Sequence, residues 1–436
     1  MRVGEGLRHR PVVPLTRPAR AASLPGRVLP GLSIGIVGAG IGGLTAALVL
    51  ARAGHAVTIL ERREDFSERG AGLQISPNAS RILLDLGLGP ALRGVVGEPD
   101  RVVVRSARSG REIGSVAQGA YMRERYGAPA WVIQRSDLQA ILLDAVRGLG
   151  AVELLTGRNV EGVGSTPGAA SLTLAGAGSR SIAFDAVIGA DGLWSQVRGA
   201  VGAADPLAYR GYVAWRATVD RRDAPEGLAA DATGLWLEPG GHVVHYPIAG
   251  GRLVNIVVIE RRREPVEGWS APGDRDLIRA RFAGAAPALR ELVAAPERWL
   301  LWSLYDRPVE TLARGRIALL GDAGHPVLPF LAQGAALAIE DAAVLGATLA
   351  ADDVPGSLEA YGDRRGPRVR RVQREARRNG RIYHASGAVA LGRDLVIRGL
   401  GPRRMTRRYD WLYGFTPPGA ALAPPGAALA PPGPPG

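Results

Sequence analysis

The segment GAGIGG at residues 38–43 constrains the fold of this chain more than any other feature. It follows the β-branched run SIGIV and precedes a stretch with helical periodicity. The next apolar run, AVTIL at 56–60, ends in Glu61. A GxGxxG turn between a strand and a helix, with an acidic residue after the following strand, is typical of a dinucleotide site. We therefore expect these glycines to approach a pyrophosphate and Glu61 to accept from the ribose of FAD or NAD.

Composition excludes several classes of chemistry. The 436 residues contain no cysteine and no lysine, so all 54 basic residues are arginine. Without cysteine there is no disulfide, thiolate metal site or cysteine nucleophile. Without lysine there is no Schiff base, Walker-A phosphate loop or protein kinase. This composition suits a cytoplasmic protein, and we expect no metal site.

The net charge of +13 is concentrated in two regions. Residues 1–32 carry +5 and residues 361–410 carry +11, whereas the body between them is slightly acidic. Arginines in such a helical pattern are typical of solvated faces, so we expect no nucleic-acid partner. The uncharged stretch 31–51 has the hydropathy of a membrane span, but its clustered glycines indicate strand, turn and helix instead.

A second motif places a carboxylate at the end of an apolar strand. In AFDAVIGADGLWSQVRGAVG, residues 183–202, the strand leads to Asp191 and Gly192. Ligands bind at the carboxyl ends of strands in doubly wound sheets, which favours a ligand near Asp191. An alternative interpretation is that Asp191 caps the following helix.

A third motif, GRIALLGDAGHPVLPFLAQGAALAIEDAAVL at residues 315–345, repeats this arrangement. The strand IALL leads to Asp322, and Gly334 begins a helix after a proline-containing loop. Such a loop directs a carboxylate at a hydroxyl of the ligand and a positive helix N-terminus at developing negative charge. We expect His325 to stabilise the loop by a hydrogen bond rather than to react.

The three motifs resemble, in chain order, the three fingerprints of the single-component (group A) FAD-dependent aromatic monooxygenases, which share the para-hydroxybenzoate hydroxylase fold. The motif residues are Gly38–Gly43 with Glu61, Asp191–Gly192 and Gly321–Asp322. Further segments are similar to the salicylate hydroxylase and 6-hydroxynicotinate 3-monooxygenase branch of that family. These segments are GAGLQISPNASRIL at 70–83, GYVAWRATV at 211–219, GHVVHYPI at 241–248, LPFLAQGAALAIEDA at 328–342 and DWLYGF at 410–415.

The resemblance implies an α/β fold, with a Rossmann-type FAD-binding domain, an inserted mixed β-sheet substrate domain and C-terminal helices. The FAD-binding domain would comprise residues 33–95, 130–204 and 300–360, and the substrate domain residues 96–129 and 205–299. The C-terminal helical region would follow at 361–415. Residues 1–32 and 416–436 lack hydrophobic periodicity and are expected to be disordered tails.

The resemblance also implies cofactor contacts, carried over position by position. The glycine loop would lie on the FAD pyrophosphate, Asp322 on the ribityl chain, Arg135 near the flavin and the Val160 backbone near the adenine. For Arg135 the alternative is an exposed residue ahead of a Ser136 cap. The positions assigned to FAD are Gly38, Ala39, Gly40, Ile41, Gly42, Gly43, Glu61, Arg62, Gln74, Arg135, Val160, Asp191, Asp322, Gly334, Ala335 and Ala336.

The catalytic candidates are Tyr212, His245 and Arg216. Tyr212 lies near the position of a tyrosine that the 6-hydroxynicotinate enzymes use to deprotonate their substrate, and its alternative is a core residue. Those enzymes have a histidine base where this chain has Gln74, which cannot take a proton. Arg216 is a candidate partner for a substrate carboxylate, and its alternative is a pair with an acid such as Glu238 or contact with solvent.

Period-two alternation along GHVVHYPI predicts that His242 and Tyr246 lie on one face of their strand and His245 on the other. At least one of these two faces should therefore be plain core or solvent.

The implied function is monooxygenation of a small hydroxyaromatic substrate, with salicylate as the first candidate. NADH or NADPH would bind transiently and reduce the FAD, and dioxygen would then give a flavin C4a-hydroperoxide that attacks the ring. One alternative is an FAD-dependent epoxidase or hydroxylase of a polyketide or isoprenoid, and another is a non-catalytic FAD-binding protein. We expect no membrane partner, and a monomer or homodimer.

Overall fold

The structure is a computed structural model that describes residues 31–66, 72–176, 180–202, 206–226, 228, 232–267 and 270–419. The predicted N-terminal tail lies outside the described residues as far as residue 30, and the predicted C-terminal tail lies outside them from residue 420 onward. Gly70 and Ala71 of the GAGLQ segment also lie outside them.

The described residues form strands and helices in alternating groups. The strands are β1 (Ser33–Val37), β2 (Ala56–Leu60), β3 (Gly72–Ile75), β4 (Arg101–Ser106), β5 (Glu112–Ala117), β6 (Trp131–Gln134), β7 (Val152–Leu155), β8 (Val160–Ser165), β9 (Ala170–Leu174), β10 (Ser181–Phe184), β11 (Ala186–Gly189), β12 (Ala208–Asp220), β13 (Ala232–Glu238), β14 (Gly241–Ile248), β15 (Leu253–Arg261), β16 (Ala271–Gly273), β17 (Trp299–Asp306), β18 (Ala313–Arg314) and β19 (Ile317–Leu319).

The α-helices are α1 (Ile41–Arg52), α2 (Pro77–Asp85), α3 (Gly89–Arg93), α4 (Gly119–Tyr126), α5 (Arg135–Arg147), α6 (Arg275–Arg281), α7 (Pro287–Ala294), α8 (Gly334–Thr348), α9 (Val354–Tyr383), α10 (Gly387–Arg407) and α11 (Asp410–Tyr413). Short 3-10 helices occur at Val197–Val201, Arg221–Asp223, Gly321–Ala323 and Pro329–Leu331.

The first sheet has six strands in the order β18-β19-β11-β1-β2-β7, and all its pairs are parallel except β18 with β19. Helices α1, α5 and α8 pack on one face, where apolar side chains of β1 and β2 join the largest buried cluster. The antiparallel meander β10-β9-β8 covers the other face. The predicted βαβ unit and the predicted α/β class are therefore confirmed.

The second sheet has eight strands in the order β16-β17-β12-β15-β14-β13-β4-β5. Its pairs are antiparallel except β13 with β4, so the sheet is mixed, as predicted. One face packs on α6 and α7 around Trp215, Trp236 and Trp299. The other face packs on the loop that precedes α8, through Leu328 and Phe330. The second face therefore looks toward the first sheet.

The C-terminal helices connect the two sheets. Helix α9 packs against α8 and buries Leu358, Tyr361 and Val369 in the core of the first sheet. Helix α10 bends at Gly401 and Pro402 and packs against β5 at the edge of the second sheet. Among the described residues, no helix is both long enough and apolar enough to cross a membrane.

Candidate active site

The glycine loop between β1 and α1 brings two parts of the chain into close contact. Gly38 has a φ of 103°, and a Cβ there would lie 2.6 Å from the carbonyl oxygen of Ala190. A Cβ on Gly43 would clash with the carbonyl oxygen of Gly38. Only glycine fits these two positions, so α1 begins directly against the ends of β1 and β11.

Gly40 differs from its neighbours because it faces open space. A Cβ on Gly40 would meet no atom of the described residues within 4 Å, and its φ of −74° is accessible to any residue. Gly40 is also the N-cap of α1, and because it is glycine it has no side chain that could cap the helix. The positive end of α1 therefore faces a space that can accept an anion.

Glu61, at the end of β2, lies beside this loop. Its Oε2 accepts a hydrogen bond of 2.8 Å from the Ala39 amide, and its Oε1 accepts one of 3.0 Å from the Arg63 amide. Each carboxylate oxygen has a further lone pair, so these bonds leave capacity for a ribose hydroxyl. Arg62 is exposed, and Ile41 is buried in the core beneath α1.

Asp191 combines the two interpretations that its motif allows. Its Oδ2 caps the following 3-10 turn by accepting from the Gln196 and Val197 amides at 2.7 and 3.2 Å. Its Oδ1 is buried and makes no hydrogen bond within the described residues. Burial raises the pKa of Asp191, and the cap hydrogen bonds partly offset this. The second oxygen thus lies next to the glycine loop as an acceptor that the protein leaves available.

Asp322 follows β19 in the third motif. Its side chain is accessible to solvent, yet the surrounding protein desolvates it and raises its pKa. This combination is expected of a carboxylate that lines an internal groove. The charges of His325, Arg135 and Arg216 act in the opposite direction and lower that pKa, so all three side chains lie near Asp322. Arg135 is the first residue of α5 and is partly buried, rather than an exposed residue ahead of a cap.

Three features describe the loop from Asp322 to α8: a hydrogen bond, a residue in the left-handed conformation and an uncapped helix start. His325 bonds Asp341 at 2.6 Å through Nε2, which confirms that it stabilises the loop. Ala332 has a φ of 52°, a conformation that costs about 1 kcal/mol for a residue with a Cβ. Gln333 is the N-cap of α8 but makes no side-chain cap bond, so the amides at Gly334, Ala335 and Ala336 begin the helix uncapped.

The face of the second sheet that looks toward this loop carries polar side chains at neighbouring positions. Arg216 lies over the ring of Trp302, 4.9 Å from its centroid, and its charge partly offsets the rise that burial causes in the pKa of Tyr246. Asn255 pairs directly with Tyr246 across β14 and β15. Its Oδ1 accepts a hydrogen bond of 2.8 Å from the Gly72 amide, while its buried Nδ2 makes none within the described residues.

Tyr212 lies on the same face but at its other end. Its ring packs edge-on against Phe330 at 5.5 Å and lies 5.1 Å from the ring of His384. His242 is buried there as well, and its Nδ1 lies 2.8 Å from Nε2 of His384. Burial and the charge of His384 hold the pKa of His242 well below its usual value, so the ring is neutral near pH 7.

His245 lies on the opposite face, as the alternation predicts. It pairs with Gly234, and its ring lies 6.3 Å from that of Trp236, in the core formed with α6 and α7. The structure therefore does not bring His245 together with Arg216 and Tyr246. The suggested pair of Arg216 with Glu238 is wrong, because Glu238 binds Arg281 instead.

Two predicted cofactor positions lie at the ends of neighbouring elements. Val160 begins β8 and is buried near Val37 and Leu60, at the carboxyl ends of β1 and β2. Gln74 lies in β3 and lines a cavity with Leu331 and Gln333.

Sequence reasoning did not single out several residues of this region. Asn255 is the one polar residue in the strand segment LVNIVVI, which is a signal that could have identified it. Glu340 and Asp341 are adjacent acids in an apolar helix, which is a similar signal. Their partner Arg365 is distant in the chain, and no local pattern links it to them.

The arrangement fits FAD on the evidence of the residues themselves. The open space at Gly40 suits a pyrophosphate, and Asp191, whose Cα lies beside Gly38, has an oxygen with no hydrogen bond within the described residues. Asp322 would hold the ribityl chain, and the uncapped N-terminus of α8 would face the flavin ring. Within the described residues, no group of three or more histidine, aspartate or glutamate side chains could hold a metal ion.

Comparison with known proteins gives consistent matches. The model of the FAD binding domain family matches residues 32–376. The chain is 37% identical to a 3-hydroxybenzoate 6-hydroxylase of Polaromonas naphthalenivorans, over 88% of this chain and 96% of that relative. It is 38% identical to a 3-amino-4-hydroxybenzoate 2-monooxygenase of Streptomyces platensis, over the same shares of the two chains.

Solved structures with more than 25% identity also share the fold, among them the following two complexes. The substrate complex of a salicylate hydroxylase is 26% identical, with a TM-score of 0.74, over 88% of this chain and 96% of that one. The complex of Klebsiella pneumoniae HpxO with FAD and uric acid is 28% identical, with a TM-score of 0.75, over 86% and 95%.

Proposed function

This chain belongs to the FAD binding domain family and is an FAD-dependent aromatic monooxygenase, and we propose that its substrate is a small benzoate bearing a ring hydroxyl. The first candidate is 3-hydroxybenzoate, hydroxylated at the ring carbon para to its hydroxyl. The curated relatives named above act on 3-hydroxybenzoate and 3-amino-4-hydroxybenzoate, and each of these carries a carboxylate and a phenol. Salicylate, expected from the sequence, and 3-amino-4-hydroxybenzoate are the compounds to compare with it.

The observation that carries this proposal is the position of Arg216. Arg216 lies on the sheet face that packs on the loop from Asp322 to α8, which we call the flavin loop. Its neighbours on the adjacent strands are the apolar residues Val257 and Leu300. Burial raises the pKa of both Asp322 and Tyr246, and the charge of Arg216 opposes that rise in each case, so its guanidinium is close to both side chains. A guanidinium in such a setting binds a carboxylate with two parallel hydrogen bonds, which favours an acidic substrate.

Asn255 and Tyr246 would orient the same ring. Asn255 is fully buried and has a donor, Nδ2, that makes no hydrogen bond within the described residues. Burial raises the pKa of Tyr246 more than Arg216 lowers it, so its hydroxyl stays protonated near pH 7. The two side chains thus offer neutral hydrogen bonds to a substrate whose carboxylate pairs with Arg216.

The apolar residues around these groups exclude water. Leu328 and Phe330 are buried against Ala214 and Ile259 of the sheet. Bound FAD, once reduced by NAD(P)H, supplies the transfer of one oxygen atom from dioxygen to the ring. The protein holds the ring in place and keeps the surroundings dry, so that the transfer is not lost to reaction with water.

Substrate recognition can be tested by titrating the flavin absorbance of the holoprotein. We expect 3-hydroxybenzoate to bind more tightly than 3-hydroxybenzyl alcohol, which has the same ring but no charge. In Arg216→Met, the Kd of the acid should rise at least about tenfold, because a hydrogen-bonded charge pair is lost. The Kd of the alcohol should change little, and Arg216→Lys should restore part of the affinity for the acid.

Equal affinity for the acid and the alcohol in the wild type would contradict carboxylate recognition. An equal loss of both ligands in Arg216→Met would leave the substrate class open and remove Arg216 from the proposal. A cytoplasmic location, where NAD(P)H is available, and a monomeric or homodimeric state remain predictions from the sequence.

A further inference from the structure

We propose that two adjacent buried carboxylates of α8, Glu340 and Asp341, are positioning residues for FAD. Through one charged network they hold the three segments that meet at the flavin site: the Gly321–His325 turn, the N-terminus of α8 and the start of α2. The inference rests on FAD binding, and it does not depend on which aromatic substrate the enzyme takes.

Asp341 holds the turn that carries the ribityl-binding residue. Its Oδ2 accepts a hydrogen bond of 2.8 Å from the Gly321 amide and lies 2.6 Å from Nε2 of His325. Gly321 and His325 flank Asp322 on either side in the chain. The contacts of Asp341 therefore fix the backbone turn from which the Asp322 side chain extends.

Glu340 holds the other two segments. Its Oε1 accepts a hydrogen bond of 2.6 Å from Nδ2 of Asn78, in the first turn of α2. The same nitrogen lies 3.1 Å from Oε1 of Gln333, the N-cap of α8. Gln333 in turn donates from Nε2 to the hydroxyl of Ser76 at 2.9 Å. This chain of bonds ties the uncapped end of α8 to the segment that follows β3.

Two arginines of α9 balance the carboxylates. Arg365 bonds Asp341 at 2.6 Å and Glu340 at 2.8 Å, and Arg368 bonds both oxygens of Glu340 at 2.6 and 2.7 Å. Burial alone would raise the pKa of each carboxyl group. For Asp341, His325 and Arg365 outweigh burial and lower the pKa to about 2. For Glu340, the two arginines and Asn78 also leave the pKa below its ordinary value.

Stability alone does not account for such a network. Glu340, Asp341 and Arg365 are at most 1% exposed. Buried ion pairs are often no more stabilising than well-packed apolar side chains of similar volume. What the network supplies is directional contact with three separate segments, which apolar packing does not provide. That property matters where a cofactor must be held in one orientation.

The decisive experiment uses Asp341→Asn, which keeps the shape of the side chain and removes its charge. We expect the Kd of FAD to rise at least about tenfold, measured from the flavin fluorescence released on dilution of the holoprotein. We also expect the visible circular dichroism of the bound flavin to change, because that signal reports the asymmetry of its surroundings. A merely structural residue would not alter the flavin spectrum of the protein that remains folded.

Asp306→Asn is the matched control. Asp306 is 1% exposed and pairs with Arg210 and Arg377, and neither of these partners belongs to the three flavin segments. It should lower the melting temperature while the flavin spectrum and the Kd of FAD stay at wild-type values. If Asp341→Asn keeps wild-type flavin dichroism and affinity, or if Asp306→Asn changes both equally, the proposal is overturned.

A second variant decides the question if Asp341→Asn does not fold. Asn78→Ala leaves every charge of the network in place and removes the hydrogen bonds that the Asn78 side chain makes with Glu340, Gln333 and Ser76. It should change the flavin dichroism and weaken FAD binding, and wild-type values of both would overturn the proposal.

Discussion

Gly40 and Gly43 lie in the same loop but face different surroundings. A side chain on Gly40 would enter open space, and a side chain on Gly43 would clash with the backbone of Gly38. We therefore expect Gly40→Val to leave the stability of the FAD-free protein within about 0.5 kcal/mol of wild type. It should nevertheless weaken FAD binding at least about tenfold, because the valine blocks the pyrophosphate from the backbone amides. Urea unfolding and flavin retention measure the two effects.

Gly43→Val serves as the comparison at the residue scale. Its added side chain meets protein rather than ligand, and overpacking of this kind costs about 1–3 kcal/mol. A loss of stability in Gly40→Val as large as that in Gly43→Val would show that Gly40 has a structural role. Normal flavin occupancy in Gly40→Val would remove the loop from the FAD site.

The burial of His245 leads us to expect that the stability of the protein depends on pH. Burial and the charges of Arg105 and Arg221 lower the pKa of His245 to about 4, from an ordinary value near 6.5. His245 is therefore protonated below about pH 6.5 in the unfolded chain but only below about pH 4 in the folded protein. Stability should be complete above pH 6.5 and should fall as the pH decreases toward 4, by about 3 kcal/mol for this residue. In His245→Gln, urea unfolding between pH 7 and 4 should show a correspondingly smaller loss, and an unchanged slope would contradict the assignment.

At the scale of elements, strand β14 has one face on the side of the proposed substrate site and one face in the core with α6 and α7. Its two faces carry Tyr246 toward Val132 of β6, on the side of the sheet that also packs on the loop before α8, and His245 toward α6 and α7. We expect Tyr246→Phe to weaken 3-hydroxybenzoate binding by about two- to tenfold, the value of one hydrogen bond. His245→Gln should leave that Kd unchanged, although it alters stability. Flavin-absorbance titration compares the two variants, and a larger effect from His245→Gln would mean that the functional face has been misassigned.

Sequence patterns predicted these elements to different extents. The βαβ unit around Gly38–Gly43 and the strands of the second sheet were predictable, because glycine turns and period-two alternation are local signals. Alternation alone predicted that Tyr246 and His245 lie on opposite faces of the strand. The role of His245 did not follow from it, because alternation separates two faces without showing which of them meets the flavin loop. The pair of Arg365 with Asp341 was not predictable, since it depends on how α9 packs against α8.

At the scale of the whole molecule, α8 and its preceding loop are where the two sheets meet. Helix α8 packs on the first sheet, and Leu328 and Phe330 of the loop pack on the second. The residues proposed to contact FAD after β19 and the residues that pack on the proposed substrate sheet therefore lie in one short segment, residues 321–336. Residues that position this segment are expected to influence both FAD binding and the coupling of NAD(P)H oxidation to hydroxylation.

The most direct test of the account is the reaction of the purified holoprotein with 3-hydroxybenzoate under isotopically labelled dioxygen. NADH and NADPH oxidation would be followed by absorbance, and the product by mass spectrometry. We expect the acid to stimulate oxidation of at least one nicotinamide, and the product to gain one labelled oxygen atom. If salicylate or 3-amino-4-hydroxybenzoate alone is hydroxylated, the site is correct and the first candidate is wrong. If no hydroxybenzoate stimulates oxidation or is hydroxylated, the central claim is contradicted, and a substrate of polyketide or isoprenoid type becomes the better explanation.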